Sequence, residues 1–473
     1  MRILLTGATG YIGKRILPLL VQNGHEVICC VRDRNRFSAP KSIQEHIEVI
    51  EVDFLKKETL QHIPQDIDAA YYLIHSMSSS SDYQQLELKS AINFRERLNQ
   101  TNAKQVIYLS GIINKDTLSP HLESRKAVED ELSKGTYALT AFRAGIIIGS
   151  GSASFEIIRD LVEKLPIMIT PKWLNTRSQP IGISDVIQYL HGSLLKEETF
   201  NQNFDIGGPD ILTYKEMLLG FAKERKLKRW IITVPVMTPK LSSYWLYFVT
   251  STSFKLASAL VDSMKVEVIC RPSNINQILS IKPISYNEAL QKAFARIEQN
   301  QIISSWKDSL VSGRFEHGLS DYIRVPTHGC FTDMRKVKIT DEDATLNKIW
   351  SIGGNKGWYY ANWLWQIRGF LDKLTGGVGL RRGRTDPNKL SAGDSVDFWR
   401  VLLADRVDKR LLLFAEMRIP GDAWLEFKIE NGTMTQTATF RPRGLAGRLY
   451  WYSVWPFHGF VFNGMINNIA QSN

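Results

Sequence analysis

Over the first 150 residues the apolar positions come in short runs, with helix-spaced stretches between them. Ile3-Leu4-Leu5 is followed by Ile12, Ile16, Leu17 and Leu20, a strand and then one face of a helix. His25 to Val31, Tyr71 to Ser76, Gln105 to Ser110 and Ala138 to Phe142 continue the series of strands. Strands alternating with helical stretches of this length predict a parallel, doubly wound α/β sheet.

From about residue 150 to 310 the pattern loosens. The loop Gly149-Ser150-Gly151-Ser152 leads into a helix around Phe155 to Lys164, and Gln179 to Val186 reads as a short strand running into a helix start. Asn203 to Gly208 reads as a further strand, and Ser285 with Glu288 has the spacing of a capping box. Ser312-Gly313 and His317-Gly318 then interrupt the pattern, which predicts domains at 1–312, with a core in about 1–150, and at 320–473. Eight of the twelve tryptophans lie beyond that boundary. There Leu411, Leu413, Ala415, Met417 and Ile419 alternate with positions that turn polar at Glu416 and Arg418, and Ala423 to Ile429 alternate in the same way. Pro420-Gly421-Asp422 is expected to join these two strands, and Asn431-Gly432 to turn the second into a third, Thr433 to Phe440. An aromatic stretch, Leu449 to Ile469, reads as a long helix kinked at Pro456.

The chemistry concentrates at the first turn. Thr6-Gly7-Ala8-Thr9-Gly10-Tyr11-Ile12-Gly13 places three glycines between a strand and a helix. Glycine permits the tight turn and the close approach of backbone to a pyrophosphate. The unpaired N–H groups at the helix start then face a doubly negative ligand. This is the pattern of a dinucleotide site.

The GxxGxxG spacing resembles the short-chain dehydrogenase/reductase superfamily in its extended and atypical, NmrA-like branches. The resemblance implies cofactor contacts at Thr6, Gly7, Thr9 and Gly10, and at Tyr11, Ile12 and Gly13. Arg32 ends the second strand where NAD-preferring relatives place an acidic residue, so its guanidinium suits a ribose 2′-phosphate and favours NADP. Asp33 follows directly and keeps NAD as the alternative. Asp53-Phe54 matches the family's adenine-contacting pair, and Leu73, Ile74 and His75 run into the loop facing the cofactor.

In active members a Ser polarises the carbonyl and a YxxxK pair supplies the proton. Ser110 stands where that serine belongs, but the YxxxK slot reads His121-Leu122-Glu123-Ser124-Arg125. Histidine can act as a general acid near neutrality, and Arg125 can hold ribose hydroxyls. The other reading is that ordinary catalysis has been lost and the cofactor is structural or regulatory.

The second domain, a meander closed by a long helix, resembles the helix-grip (START-like, SRPBCC-like) α+β fold, whose curved sheet and helix often enclose an apolar ligand. Leu73 to Met77, Ser119 to Arg125, Ile148 to Phe155 and Gly353 to Trp358 also resemble a bacterial group in which a reductase-like domain is fused to a domain of unknown function. A small apolar ligand or quinone is expected there, with Arg381, Arg382 and Arg400 at its mouth. Gly353-Gly354-Asn355-Lys356-Gly357 lacks the GK[ST] ending of a phosphate loop and reads as a turn.

Charge and cysteines change this picture little. The net charge of +11 is scattered along the chain, with no basic block or nucleic-acid-binding fingerprint, so no nucleic-acid partner is expected. A basic surface with a cofactor phosphate site explains it, and peripheral contact with a membrane is the other reading. The chain begins inside a strand, lacks an uncharged run of about 18 apolar residues, and its four cysteines have neither disulfide-framework nor zinc spacing. The expected home is a reducing cytoplasm or the inner face of the membrane. Two functions follow: an NADP-dependent oxidoreductase acting on an apolar carbonyl or quinone, or a noncatalytic NAD(P)-binding sensor or scaffold similar to the accessory dehydrogenase-like subunit of respiratory complex I.

Overall fold

Alternation along each short strand decides which side of the sheet a residue serves. The computed structural model describes residues 1–34, 37, 41–74, 83–113, 120–234, 266–298, 325, 330–379 and 389–471. In β1 (Arg2–Leu5), Ile3 and Leu5 enter one core while Leu4 enters another. β2 (Glu26–Val31), β3 (Ile47–Glu51), β4 (Ala69–Tyr72), β5 (Gln105–Gly111), β6 (Ala138–Ala144) and β7 (Gln202–Ile206) complete a seven-stranded sheet. Its order is β7-β6-β5-β4-β1-β2-β3, and every neighbouring pair is parallel.

A parallel sheet must be covered on both faces. Five helices follow the strands: α1 (Gly13–Gln22), α2 (Tyr83–Leu98), α3 (Pro120–Leu132), α4 (Ala153–Lys164) and α5 (Ile183–Gly192). α1 and α5 pack on one face through Ile16, Leu20, Val186 and Tyr189. α2 and α3 pack on the other through Phe94, Leu98, Val128 and Leu132. The strand order reverses beside β1, so a crevice opens at the carboxyl ends of β1 and β4.

A smaller core joins α4 to α6 (Tyr214–Glu224) and α7 (Tyr286–Glu298), where the rings of Phe155, Phe221 and Phe294 lie 5.0–5.7 Å apart. The helix starts are capped as their sequences require. Ser152 Oγ accepts from the Phe155 N–H at 3.2 Å, and Thr213 and Glu216 form a reciprocal capping box. Ser285 and Glu288 form the box expected of them, at 2.8 and 3.3 Å.

The chain divides into two compact units, Met1–Thr250 with Phe254–Trp306, and Ser251–Ser253 with Lys307–Asn473. In the second, α8 (Glu342–Ile349), α9 (Asn362–Leu374) and α10 (Gly444–Ala470) accompany a six-stranded antiparallel sheet. Its strands are β8 (Phe331–Lys338), β9 (Ser395–Val396), β10 (Trp399–Asp405), β11 (Arg410–Ala415), β12 (Gly421–Glu430) and β13 (Thr433–Pro442), in the order β8-β13-β12-β11-β10-β9. Asn431 (φ 48°) and Gly432 (φ 68°) make the tight turn between β12 and β13. α10 packs over β8 and β13.

Three expectations for this unit are corrected. β11 ends at Ala415, and residues 416–420 make the connection, so Gly421 and Asp422 already belong to β12. A Cβ on Gly421 would lie 2.4 Å from the Arg441 carbonyl oxygen, so this glycine serves close strand approach. Glu416 does not face solvent. Its carboxylate is fully buried against the equally buried Arg400 guanidinium, with Nε–Oε1 at 3.1 Å and Nη2 at 3.0 and 3.2 Å from the two oxygens. Arg400 also donates to the Gly393 carbonyl at 2.6 Å, so it is a core ion-pair residue and not the rim of a ligand site. Arg381 and Arg382 lie outside the described residues.

Tryptophans fill much of this core. Trp358 stacks on Trp365 (5.0 Å) and Phe398 (6.4 Å), and its indole N–H donates to Asp397 at 2.8 Å. A pocket of about 720 Å³ opens near the end of α8, lined by Lys348, Lys356, Lys389 and Arg406 with Trp350 and Tyr359. The Gly353–Gly357 segment beside it is a turn, with three of its glycines at positive φ. In the first unit Cys29 and Cys30 are buried free thiols, and burial pushes Cys29 up to about 12.

The Arg400–Glu416 pair generates a stability prediction. Arg400→Met leaves a buried carboxylate without its partner and should cost about 3–5 kcal/mol. The double variant Arg400→Met/Glu416→Leu should recover most of that loss. Urea unfolding of the parent and both variants measures it, and equal midpoints for the single and double variants would refute this role for the pair.

Candidate functional site

The crevice is built on one tight closure between β1 and β4. Thr6, fully buried, receives the Leu73 N–H on its Oγ1 at 3.0 Å and donates from the same oxygen to the Tyr71 carbonyl at 2.9 Å. Gly7 then turns at φ 65°, and a Cβ there would lie 2.5 Å from the Leu73 carbonyl oxygen. The Gly10 N–H donates back to the Gly7 carbonyl at 2.8 Å. Gly13 opens α1, where a Cβ would come within 2.3 Å of that same carbonyl oxygen. α1 has no side-chain cap at Ile12 and no acidic residue in its first turn. Two of its first N–H groups are already committed, Lys14 donating to the Gly10 carbonyl at 3.1 Å and Arg15 to the Ile12 carbonyl at 3.0 Å, so an anion there meets the positive end of the helix dipole with no acidic side chain to oppose it.

Arg15 escapes sequence reasoning, because an arginine on a helix reads as a solvated charge. It is buried, lies 3.9 Å over the Tyr11 ring, and donates to the Tyr11 carbonyl at 3.0 Å and the Ser150 carbonyl at 2.8 Å. It thereby ties the glycine turn to the Gly149–Ser152 loop.

Arg32 stands just past β2 on the same edge. It is exposed and has no hydrogen-bond or ion-pair partner among the described residues. The next arginine is committed: Arg34 donates to the Val49 carbonyl at 2.9 Å, and its backbone N–H to Glu51 at 3.0 Å. Asp33, between them, is buried. After β3, Asp53 accepts the Leu55 N–H at 3.1 Å, while the Phe54 ring packs inward on Phe94 at 5.8 Å. Leu73 and Ile74 are half-buried just past β4, and His75 lies outside the described residues.

Ser110 is the last residue but one of β5, which pairs with β4, so it shares the carboxyl edge with the glycine turn and Arg32. It is buried, with its hydroxyl beside the Tyr108 phenol. Arg125 reaches the same place from α3, its Nη1 donating to the Leu109 carbonyl at 2.9 Å. Tyr108, also unanticipated, lies on the same strand face and donates to the Arg125 carbonyl at 3.4 Å. Burial pushes the Tyr108 phenol above its ordinary range, against the opposing pull of the Arg125 guanidinium. Beneath them the Ser124 hydroxyl donates to the buried Glu87 carboxylate. His121 lies in the first turn of α3, and its side chain is outside the described set. The fold thus brings the glycine turn, Arg32, Leu73 and Ile74, and Ser110 with Arg125 to adjacent strand ends.

Residues 7–145 match a family described as NAD(P)H-binding, and residues 327–465 match one described as a protein of unknown function (DUF2867). The chain is 25% identical over 241 residues to the photosystem II assembly factor Ycf39 of Trieres chinensis, covering 49% of this chain and 74% of that protein. It is 22% identical over 229 residues to the chloroplastic divinyl chlorophyllide a 8-vinyl-reductase of Arabidopsis thaliana, covering 44% of this chain and 54% of that protein. Its fold is similar to a nucleoside-diphosphate-sugar epimerase from Staphylococcus aureus, with TM-score 0.51, 16% identity, and coverage of 62% of this chain and all of that one. The triphenylmethane reductase of Citrobacter sp. is also similar, with TM-score 0.50, 15% identity and the same coverage. The chain therefore carries an NAD(P)-binding Rossmann domain and a C-terminal DUF2867 domain.

Proposed function

We propose that the first unit binds NADP(H) and reduces an apolar carbonyl or quinone. The observation that carries the cofactor is the pairing of a glycine turn that has no room for side chains with an exposed Arg32 at the next strand end, which has no partner among the described residues. A guanidinium there meets a ribose 2′-phosphate with charge-assisted, bidentate hydrogen bonds. The cofactor, when bound, supplies hydride to the carbonyl carbon. Ser110, a buried hydroxyl beside the Tyr108 phenol, holds the carbonyl oxygen. His121 supplies the proton to that oxygen, from the slot four residues before Arg125. Arg125, anchored on the Leu109 carbonyl, keeps a positive charge beside Ser110 and steadies the developing oxyanion.

A second reading has its own support. With the Tyr and Lys of YxxxK replaced, the site can bind a dinucleotide and report its redox state, or serve assembly, without turnover. The similarity to a protein named as a photosystem II assembly factor favours this reading.

Fluorescence titration should show NADPH binding more tightly than NADH. Arg32→Ala should remove the preference, losing about 1.5–3 kcal/mol of NADPH affinity. Equal affinity of the parent for both cofactors would take Arg32 out of this role.

Gly13→Ala places a methyl group against the Gly7 carbonyl and should abolish binding of both cofactors. It should also cost about 1–3 kcal/mol of stability. Isothermal titration and thermal melting read the two effects, and a variant that binds normally would show that the closure is not needed for binding.

His121→Phe should keep NADPH binding and lose NADPH oxidation on quinones or apolar enones. Normal turnover by that variant would exclude the histidine as acid. No turnover by the parent on a broad carbonyl and quinone panel would leave the noncatalytic reading.

A further inference from the structure

α10 is apolar around its whole circumference, yet among the described residues it is covered on one side only. Trp451, Val461, Phe462, Met465, Ile466 and Ile469 face the core. Leu445, Leu449, Tyr452, Trp455, Phe457 and Phe460 are 47–73% exposed. α9 repeats the arrangement on one face, with Trp363, Ile367, Phe370, Leu371 and Leu374 at 48–59% exposed. The two helices are neighbours: the Trp365 and Phe462 rings lie 6.2 Å apart, and the Arg368 guanidinium lies 5.2 Å over the Tyr450 ring. These exposed side chains therefore belong to one helix pair. A helix that is hydrophobic all round needs cover on all sides, and a large apolar patch marks an interaction surface.

The charges say what kind of surface covers it. α10 has no Asp or Glu in its 27 residues, and its one arginine, Arg448, is exposed. The lone carboxylate of α9, Asp372, points inward and accepts the Gly379 and Arg418 backbone N–H groups at 2.8 and 2.7 Å. Arg441 and Arg443, just before the start of α10, share one carboxylate, Asp422, at 2.6 and 3.2 Å, which leaves that end of the helix with one positive charge in excess. Three of the exposed rings are Trp363, Tyr452 and Trp455, the residue types that settle at a membrane–water interface. A second copy would bring the same +11 charge to its partner. Among the described residues no helix is long and apolar enough to cross a membrane, so the pair suits the plane of the headgroups.

We propose that α9 and α10 form a docking face for an anionic lipid bilayer, with the exposed aromatic and leucine side chains inserted and Arg448 at the lipid phosphates. This stands apart from the cofactor reading, since it uses none of those residues.

The test is sedimentation of the full chain with phosphatidylcholine vesicles, with and without phosphatidylglycerol. Tryptophan quenching by brominated lipid is measured alongside. The parent should bind the anionic vesicles and be quenched. The variant Phe370→Ser/Leu449→Ser/Phe457→Ser should bind at least roughly tenfold more weakly at an unchanged melting temperature, because all three side chains are surface residues. Failure of the parent to bind, equal binding to pure phosphatidylcholine, or unchanged binding by the variant would overturn the proposal. So would a dimer of the parent that the variant breaks, which assigns the face to a second copy. Lipid-free shielding of Trp363 and Trp455 from hydroxyl radicals would overturn it too, because the face would then be covered from within the chain.

Discussion

The contact on which the first unit depends is the approach of the Gly7 backbone to the Leu73 carbonyl. At 2.5 Å from the position of a Cβ, that carbonyl leaves room for hydrogen alone. Thr6 makes the approach stable by satisfying backbone groups of β4 on either side of it, so no buried donor or acceptor is stranded. Gly13 repeats the constraint from the helix side. The crevice is thus set by backbone against backbone, a geometry that side-chain motion cannot relax. Arg15 secures the outer side of the turn by bonding to carbonyls of two separate loops.

Much of this was legible in the chain because its causes are local. Three glycines between an apolar run and a helical run point to a tight strand-to-helix turn, and Arg32 was visible by its position after a strand. Arg15 and Tyr108 were not legible, since their roles depend on partners far along the chain, at Ser150 and Arg125. The second unit shows where alternation misleads. Glu416 reads as the polar side of a half-exposed strand. That side of the sheet is instead covered by a small cluster of Leu402, Leu412, Phe414 and Trp424. Periodicity reports that two faces differ; it does not report that both are dry. Pro420-Gly421 misleads for another reason, because the glycine answers to the Arg441 carbonyl on the neighbouring strand rather than to a turn.

The two units stabilise themselves differently. In the first, parallel strands and helices exclude water through aliphatic residues on both faces of the sheet, with polar groups gathered at the carboxyl edge. In the second, stacked indoles supply much of the interior, and a charged pair sits where an aliphatic pair would have sufficed. Large rigid rings bury much area with few rotatable bonds, so ordering them costs little side-chain entropy.

The buried ion pair has a consequence for how the second sheet assembles. Trp399 pairs with Ala415 and Arg400 with Phe414, which sets Arg400 diagonally across from Glu416 on one face. Shifting the hairpin by a single residue would send one charge to each side of the sheet, each buried and alone. Neutral side chains would tolerate such a slip; these do not. The irregularity between Val401 and Leu403, a few ångströms away, would otherwise offer the strands a second alignment. Arginine and glutamate here act as a lock on strand alignment, admitting one pairing of β10 with β11 and making every neighbouring one unfavourable.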